Sequence, residues 1–200
     1  MSIKVKKHQK QTMEEKLNTL RAGVLGSNDG ILTVVGVLVS VAAATSDRFT
    51  IFIAGLSDLL ACAFSMASGE YASVSTQKDT EKAAVAKEER LLKIDYEGEL
   101  AAVKEYYVNK GVTPETSIKI AKDLLNKKPL ETVVRIKYDI ELGHYLNPWD
   151  AAFSSLFSAA AGGLIPLMAM TFAPEAYKWY AVILAVAFTS ALTGYISSKL

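Results

Sequence analysis

Charged residues are concentrated in two parts of this chain, and this partition constrains the fold more than any single motif. Residues 1–21 and 72–150 carry most of the charge, whereas 22–71 and 151–198 are nearly free of it. Four apolar segments lie in the charge-poor regions: Ala22–Ala44, Phe49–Ser73, Ala151–Phe172 and Tyr177–Ser197. Each has about the 20 residues that a helix needs to cross a bilayer. The sequence therefore predicts an all-α integral membrane protein with four transmembrane helices and a helical cytoplasmic insert.

The N-terminal arm sets the predicted orientation. It is polar and basic, and its positive residues are Lys4, Lys6, Lys7, Lys10, Lys16 and Arg21. The positive-inside rule places such an arm in the cytoplasm, and an even number of spans brings the insert to the same side. Aromatic residues near the span ends, such as Trp149 and Trp179, predict contact with membrane lipid at the interface. The predicted domains are the arm at 1–21, two spans at 22–73, the insert at 74–148, and two spans at 149–200.

The sequence of the insert predicts a series of helices. A helix at 78–92 continues from the second span, and another covers about 97–109. Thr113 and Pro114 have the residue types of an N-cap and a first helical position, so they open a third helix. A fourth helix is predicted at about 130–142, before Gly143.

Composition excludes several classes of function. The chain has 22 basic and 21 acidic residues, and this balance argues against binding to nucleic acid. Its single cysteine, Cys62, allows neither a disulfide nor a cysteine-based metal site. The sequence contains no Ser-His-Asp pattern, phosphate-binding loop or zinc motif, so we expect no enzyme activity and no tightly bound cofactor.

Asp29 is the strongest candidate functional residue. It is the only charged residue in the first apolar segment, where a carboxylate costs roughly 2.5 to 3.5 kcal/mol on insertion scales. This cost predicts that Asp29 holds or moves a cation. Gly26 and Gly30 flank it as a GxxxG pair, which lets helices approach closely. We expect this glycine face to contact a second protomer.

The second apolar segment adds further potential ligands. Met66 and Glu70 are four residues apart and so share a helix face, and Asp58 lies two turns before Met66. A thioether beside carboxylates suits Fe²⁺ or Mn²⁺ better than Mg²⁺ or Ca²⁺, which prefer shells made only of oxygen. The more common role of a single methionine in a helix is packing.

Two sequence blocks resemble the vacuolar iron transporter family. One block is Arg21–Ile31, which contains the GSNDG sequence; the other combines Ala54–Leu56, Ser65–Ser75 and Gln77–Asp79. The resemblance implies a homodimeric carrier that exchanges Fe²⁺ or Mn²⁺ for protons and removes the metal from the cytosol. It also implies a location in the cell membrane of a prokaryote or a vacuolar-type membrane of a eukaryote.

The family resemblance also implies site residues. It assigns Asp29, Met66 and Glu70 to the translocation path. In the insert, Glu88, Glu99 and Glu141 match positions at which the family binds metal, and they predict one weaker metal site. Other family ligands are replaced here: the substituted positions are Leu91, Ala102, Lys137 and Tyr138. The family also has five spans, whereas four are predicted in this chain.

Two alternative functions are consistent with the same residues. Glu141 and His144 have the Glu-x-x-His spacing of ferritin-like di-iron proteins, so a membrane-bound ferritin-like iron-binding protein is one alternative. His144 is equally explained as a cation near a helix C-terminus. The other alternative is a membrane scaffold that transports nothing, in which the intramembrane acids pair with polar groups of a partner helix.

Overall fold

The computed structural model describes residues 13–198, and its regular elements in this range are all helices. Their bounds are α1 Met13–Ala44, α2 Arg48–Ile94, α3 Tyr96–Asn109, α4 Pro114–Lys127, α5 Pro129–Tyr138, α6 Pro148–Phe172 and α7 Lys178–Ser198. The described residues divide into two compact units, unit 1 with residues 13–74 and 147–198, and unit 2 with residues 75–146. The predicted all-α fold is confirmed.

Three described helices are long and apolar enough to cross a membrane. They are α1 over Glu15–Ala44, α2, and α6. Helix α7 covers the fourth predicted segment and is a helix of 21 residues, but it is not among these three. Membrane crossing by α7 therefore stays a prediction.

Unit 1 is held together by an apolar core shared among its helices. The buried members of the main cluster are Val34, Leu38, Ile51, Leu59, Leu167, Met170 and Val182. A second cluster joins Cys62 and Ala63 of α2 to Ala159 of α6, with Met66 packed against it. These contacts bring α1, α2 and α6 together around the polar residues described below.

The glycine face of α1 packs inside the protomer. A Cβ atom added to Gly30 would overlap the backbone of Ala159, and one added to Gly26 would lie 2.7 Å from the carbonyl oxygen of Ser155. Small residues at this spacing allow the backbones of α1 and α6 to approach closely. The expectation that this face contacts a second protomer is therefore wrong, because α6 of the same chain already covers it.

Unit 2 has its own core between α3, α4 and α5. The core contains Leu100, Val103, Ala121, Leu125 and Val133. Helix α4 begins at Pro114 as predicted, but the Thr113 side chain makes no capping hydrogen bond to the backbone. The unit therefore has an apolar core of its own.

Helix α5 is shorter than predicted. It ends at Tyr138 because Asp139 adopts the left-handed conformation with φ of 56°, and the Asp139 amide caps the helix. Glu141 and His144 consequently lie in the non-helical segment between α5 and α6. The interpretation of His144 as a helix C-terminal cation is wrong, and the Glu-x-x-His pair lacks the helix that a ferritin-like site requires.

Candidate functional site

Asp29 faces α2 inside unit 1. The Sγ of Cys62 lies 3.4 Å from the Asp29 Oδ2 and donates to it. Asp29 is partly buried, and Cys62 is 8% exposed. Asp58 also interacts electrostatically with this thiol, and Thr33 of α1 lies beside it. The only charged residue of the first span is thus held at a polar contact between two apolar helices.

Three potential metal ligands and the thiol of Cys62 form a row along α2. Asp58, Cys62, Met66 and Glu70 follow one another at intervals of four residues, which places them on one oblique ridge of the helix. With a rise of 1.5 Å per residue, the row is about 18 Å long. We call this row, together with Asp29 opposite Cys62, the acidic seam.

Glu70 at one end of the seam has an ion-pair partner. A guanidinium nitrogen of Arg21 lies 3.7 Å from its Oε2, and the Glu70 side chain is only 11% exposed. That buried oxygen accepts no hydrogen bond from the described residues. Arg21 therefore compensates the charge of Glu70 without satisfying its hydrogen-bonding capacity.

Asp58, at the other end of the seam, has fewer polar partners than Glu70. Its Oδ2 is buried and has no hydrogen-bond partner within residues 13–198. Leaving a buried polar atom unpaired is unfavourable, and such atoms are uncommon in folded proteins. The unsatisfied carboxylate oxygen gives the seam capacity to accept a proton or a cation.

The seam is extended, with no closed metal cage. No group of three or more His, Cys, Asp or Glu side chains among the described residues is arranged to hold a metal ion. The thioether of Met66 lies between Cys62 and Glu70 in the row and is partly buried. Ligands spread over such a length suit an ion that passes several positions better than one that is stored.

Unit 2 brings two of its three predicted ligands together. The Nζ of Lys137 donates to Glu88 Oε2 at 2.8 Å and to Glu99 Oε1 at 2.7 Å. The hydroxyl of Tyr138 donates to the other oxygen of Glu88 at 2.7 Å. Glu88 and Glu99 are 1% and 4% exposed. We call these four residues the lysine clasp.

The third predicted ligand lies elsewhere. Glu141 is exposed in the segment that follows α5, and it is not grouped with Glu88 and Glu99 in the described structure. The weaker metal site predicted from these three glutamates stays a prediction.

The clasp shifts the pKa values of its charged groups. Burial raises the pKa of Glu88, but the hydrogen bonds from Lys137 and Tyr138 outweigh it, so the pKa lies below the ordinary 4.5. Burial lowers the pKa of Lys137, but its hydrogen bonds to Glu88 and Glu99 outweigh it and raise the pKa above 10.5. Both groups are therefore charged at neutral pH.

Sequence reasoning misses Cys62 in the seam, Lys137 and Tyr138 in the clasp, and Arg21 as the partner of Glu70. As the only cysteine, Cys62 does not suggest a ligand, although its four-residue spacing from Asp58 and Met66 signals its place in the row. The sequence shows Arg21 only as part of the basic arm. Lys137 stands where a family ligand is replaced, and its contact with two carboxylates on α2 and α3 has no local sequence signal.

Comparison with known proteins then decides the family. The model of the VIT family matches residues 20–200. This chain belongs to the VIT family. Because the match begins just before Arg21 and extends through α7, the VIT family assignment covers both the acidic seam and the lysine clasp.

Curated VIT relatives support the assignment. A vacuolar iron transporter of Acanthamoeba castellanii is 37% identical over 163 residues, which cover 82% of this chain and 59% of the relative. Vacuolar iron transporter homolog 2.1 of Arabidopsis thaliana is 29% identical over 178 residues, which cover 89% of this chain and 65% of the relative. The matched part of this chain thus spans about three-fifths of the length of these relatives.

Proposed function

We propose that this protein carries Fe²⁺ or Mn²⁺ across a membrane, out of the cytosol and in exchange for protons. The observation that carries the proposal is the acidic seam, in which Asp29 meets a row of oxygen and sulfur ligands between apolar helices. Membership of a family whose curated members are named iron transporters supports it.

The chemistry of the seam favours a first-row transition metal. Carboxylates bind most divalent cations, whereas a thioether is a soft ligand that Mg²⁺ and Ca²⁺ do not seek. Met66 lies between Cys62 and Glu70 in the row, so an ion moving along the seam meets both kinds of ligand. We infer that the transported ion contacts Glu70, Met66, Asp29 and Asp58 in succession, which is their order along the seam.

Proton exchange follows from the cost of unpaired charge. A carboxylate removed from water is unfavourable unless it binds a cation or a proton. We therefore propose that protons replace the metal in the seam when it leaves and that returning metal displaces them. This alternation couples metal movement in one direction to proton movement in the other.

Arg21 would control access from the cytoplasmic side. The positive-inside rule places the start of α1 near the cytoplasm, and Glu70 is the seam residue nearest to it. An incoming cation must displace the guanidinium to reach Glu70. We propose that two protomers complete the path and associate through a surface other than Gly26 and Gly30, in a cell membrane or a vacuolar-type membrane.

Metal flux into proteoliposomes under a pH gradient tests this function. We expect uptake of Fe²⁺ and Mn²⁺ by the wild type, and at least a tenfold loss in Asp29→Ala. Met66→Ala should lose Fe²⁺ and Mn²⁺ selectivity over Mg²⁺, because its soft ligand is gone. Met168→Ala is a matched control, since Met168 is 42% exposed on α6 and outside the seam.

The same assay separates the alternatives. Equal, background flux in the wild type and in both seam variants would contradict transport and favour a membrane scaffold. Consumption of Fe²⁺ and O₂ in detergent, without any gradient, would instead favour a ferritin-like iron-binding protein. Flux that is unchanged when Asp29 is replaced would contradict the role assigned to the seam.

A further inference from the structure

The lysine clasp places a positive charge where two buried carboxylates converge. Glu88 belongs to α2, Glu99 to α3 and Lys137 to α5, so the ammonium group connects three helices. It also lies 2.6 Å from the second oxygen of Glu99. The Lys137 side chain is 26% exposed, whereas the two glutamate side chains are at most 5% exposed.

The position of the ammonium excludes a metal ion from the same carboxylates. A divalent cation binds carboxylate oxygens at about 2.0 to 2.6 Å. An ion shared by Glu88 and Glu99 would therefore overlap a nitrogen that is 2.7 to 2.8 Å from an oxygen of each. Repulsion between the two positive charges adds to this steric exclusion.

The remaining charge of the clasp is also compensated from within the chain. Tyr138 donates to Glu88, and Lys87 interacts electrostatically with the same carboxylate. The Nζ of Lys87 lies 3.4 Å from the Tyr138 hydroxyl. Two carboxylates thus face two lysines and a hydroxyl donor, so their charge is balanced within the chain, and the one buried oxygen that accepts no hydrogen bond from the described residues, Glu99 Oε2, lies beside the Lys137 ammonium.

We propose that Lys137 is a built-in counter-cation of unit 2, which makes this unit fold without metal and prevents its carboxylate pair from taking up a divalent ion. The inference goes beyond the proposed function, because it concerns unit 2 alone and holds whether or not the seam transports metal.

Counting bound Mn²⁺ on the full-length protein in detergent tests the proposal. Lys137→Met removes the charge while keeping a side chain of similar length. We expect this variant to bind one more Mn²⁺ per chain than the wild type, and the additional Glu99→Gln substitution to abolish the gain. Lys128→Met is the matched control, because Lys128 pairs with Glu131 at the surface and should leave the count unchanged.

The test compares the number of Mn²⁺ ions bound per chain in the variant and in the wild type. Ions bound at the seam contribute equally to both numbers and do not affect the difference. A failure of the transport proposal would leave this difference intact. The proposal is overturned if Lys137→Met gains no Mn²⁺, or if Glu99→Gln alone lowers the number of ions bound to an otherwise unchanged chain.

Hydrogen exchange on the wild type provides a second measurement that does not require a variant to fold. Amides of α3, α4 and α5 should be equally protected in EDTA and in excess Mn²⁺, because the clasp is already complete. Protection of these amides that rises when Mn²⁺ is added would overturn the proposal.

Discussion

The acidic seam of unit 1 and the lysine clasp of unit 2 both contain buried carboxylates, but they differ in how far other side chains of the chain compensate the carboxylate charge. In the clasp, one ammonium group bonds to Glu88 and Glu99 at 2.7 to 2.8 Å. In the seam, Arg21 pairs with Glu70 at one end, but Asp29 accepts from a thiol at 3.4 Å, and an oxygen of Asp58 has no hydrogen-bond partner among the described residues. Compensated charge stabilises a fold, whereas uncompensated charge remains available for a ligand.

The largest effect on stability is expected where charge is compensated. Lys137→Ala would leave two buried carboxylates without their cation, which costs about 3 to 5 kcal/mol for a broken buried pair. Hydrogen exchange of the α3–α5 amides measures this local stability in the full chain. Lys128→Ala, at an exposed pair, should cost less than about 1 kcal/mol. Equal effects of the two substitutions would contradict the structural role of the clasp.

The difference between the two regions also shows what a sequence can predict. Hydropathy locates α1, α2 and α6 because the requirement for apolar spans is local to each segment. The acidic positions in these segments are conspicuous for the same reason. Asp29 is therefore a candidate on its sequence context alone.

Contacts between distant elements cannot be predicted in this way. The partners of Lys137 lie 49 and 38 residues away, and only tertiary packing brings them together. The end of α5 is also not predicted, since Asp139 adopts a left-handed conformation for which glycine or asparagine is the usual signal. The glycine pair of α1 indicates close packing correctly, but the pair itself does not identify its partner, α6.

The geometry of the acidic seam depends on the close packing of α1 against α6. Gly30→Val should destabilise unit 1 by about 1 to 3 kcal/mol or more, because the new side chain meets the backbone of Ala159. The loss would appear as a lower Tm and reduced monodispersity in detergent. Gly36→Val is the matched control, since a Cβ there contacts nothing within 4 Å. A Gly36→Val variant as unstable as Gly30→Val would show that helix propensity, and not packing, determines the result.

Acid should weaken the clasp in the wild type. The folded-state pKa of Glu88 lies below its ordinary 4.5, so its stabilising contribution is present above that value and is lost as pH falls through the folded-state pKa. The pKa of Lys137 is raised, so its contribution persists below 10.5 and is lost only as pH rises through the higher folded-state pKa. Hydrogen exchange of α3–α5 should therefore show constant stability from about pH 5 to 10.

The response of unit 2 stability to acid should change when Lys137 is replaced. In Lys137→Ala the buried carboxylates lack their cation, so burial raises their pKa values and protonation stabilises the folded state. Unit 2 of this variant should gain stability as pH falls from 7 toward 5, where the wild type does not change. Parallel pH profiles for the two proteins would contradict the assignment of Lys137 as the counter-cation.

Substitution of Asp29 should have the smallest effect on stability, although it should reduce transport more than the other substitutions. Asp29→Asn removes a partly buried charge and keeps a side chain of the same shape that can still accept from Cys62. Its Tm in detergent should be unchanged or slightly higher, because a charge beside apolar helices costs free energy when no cation is bound. A fall in Tm comparable to that of Lys137→Ala would mean that Asp29 serves the fold, and the contrast between the seam and the clasp would be lost.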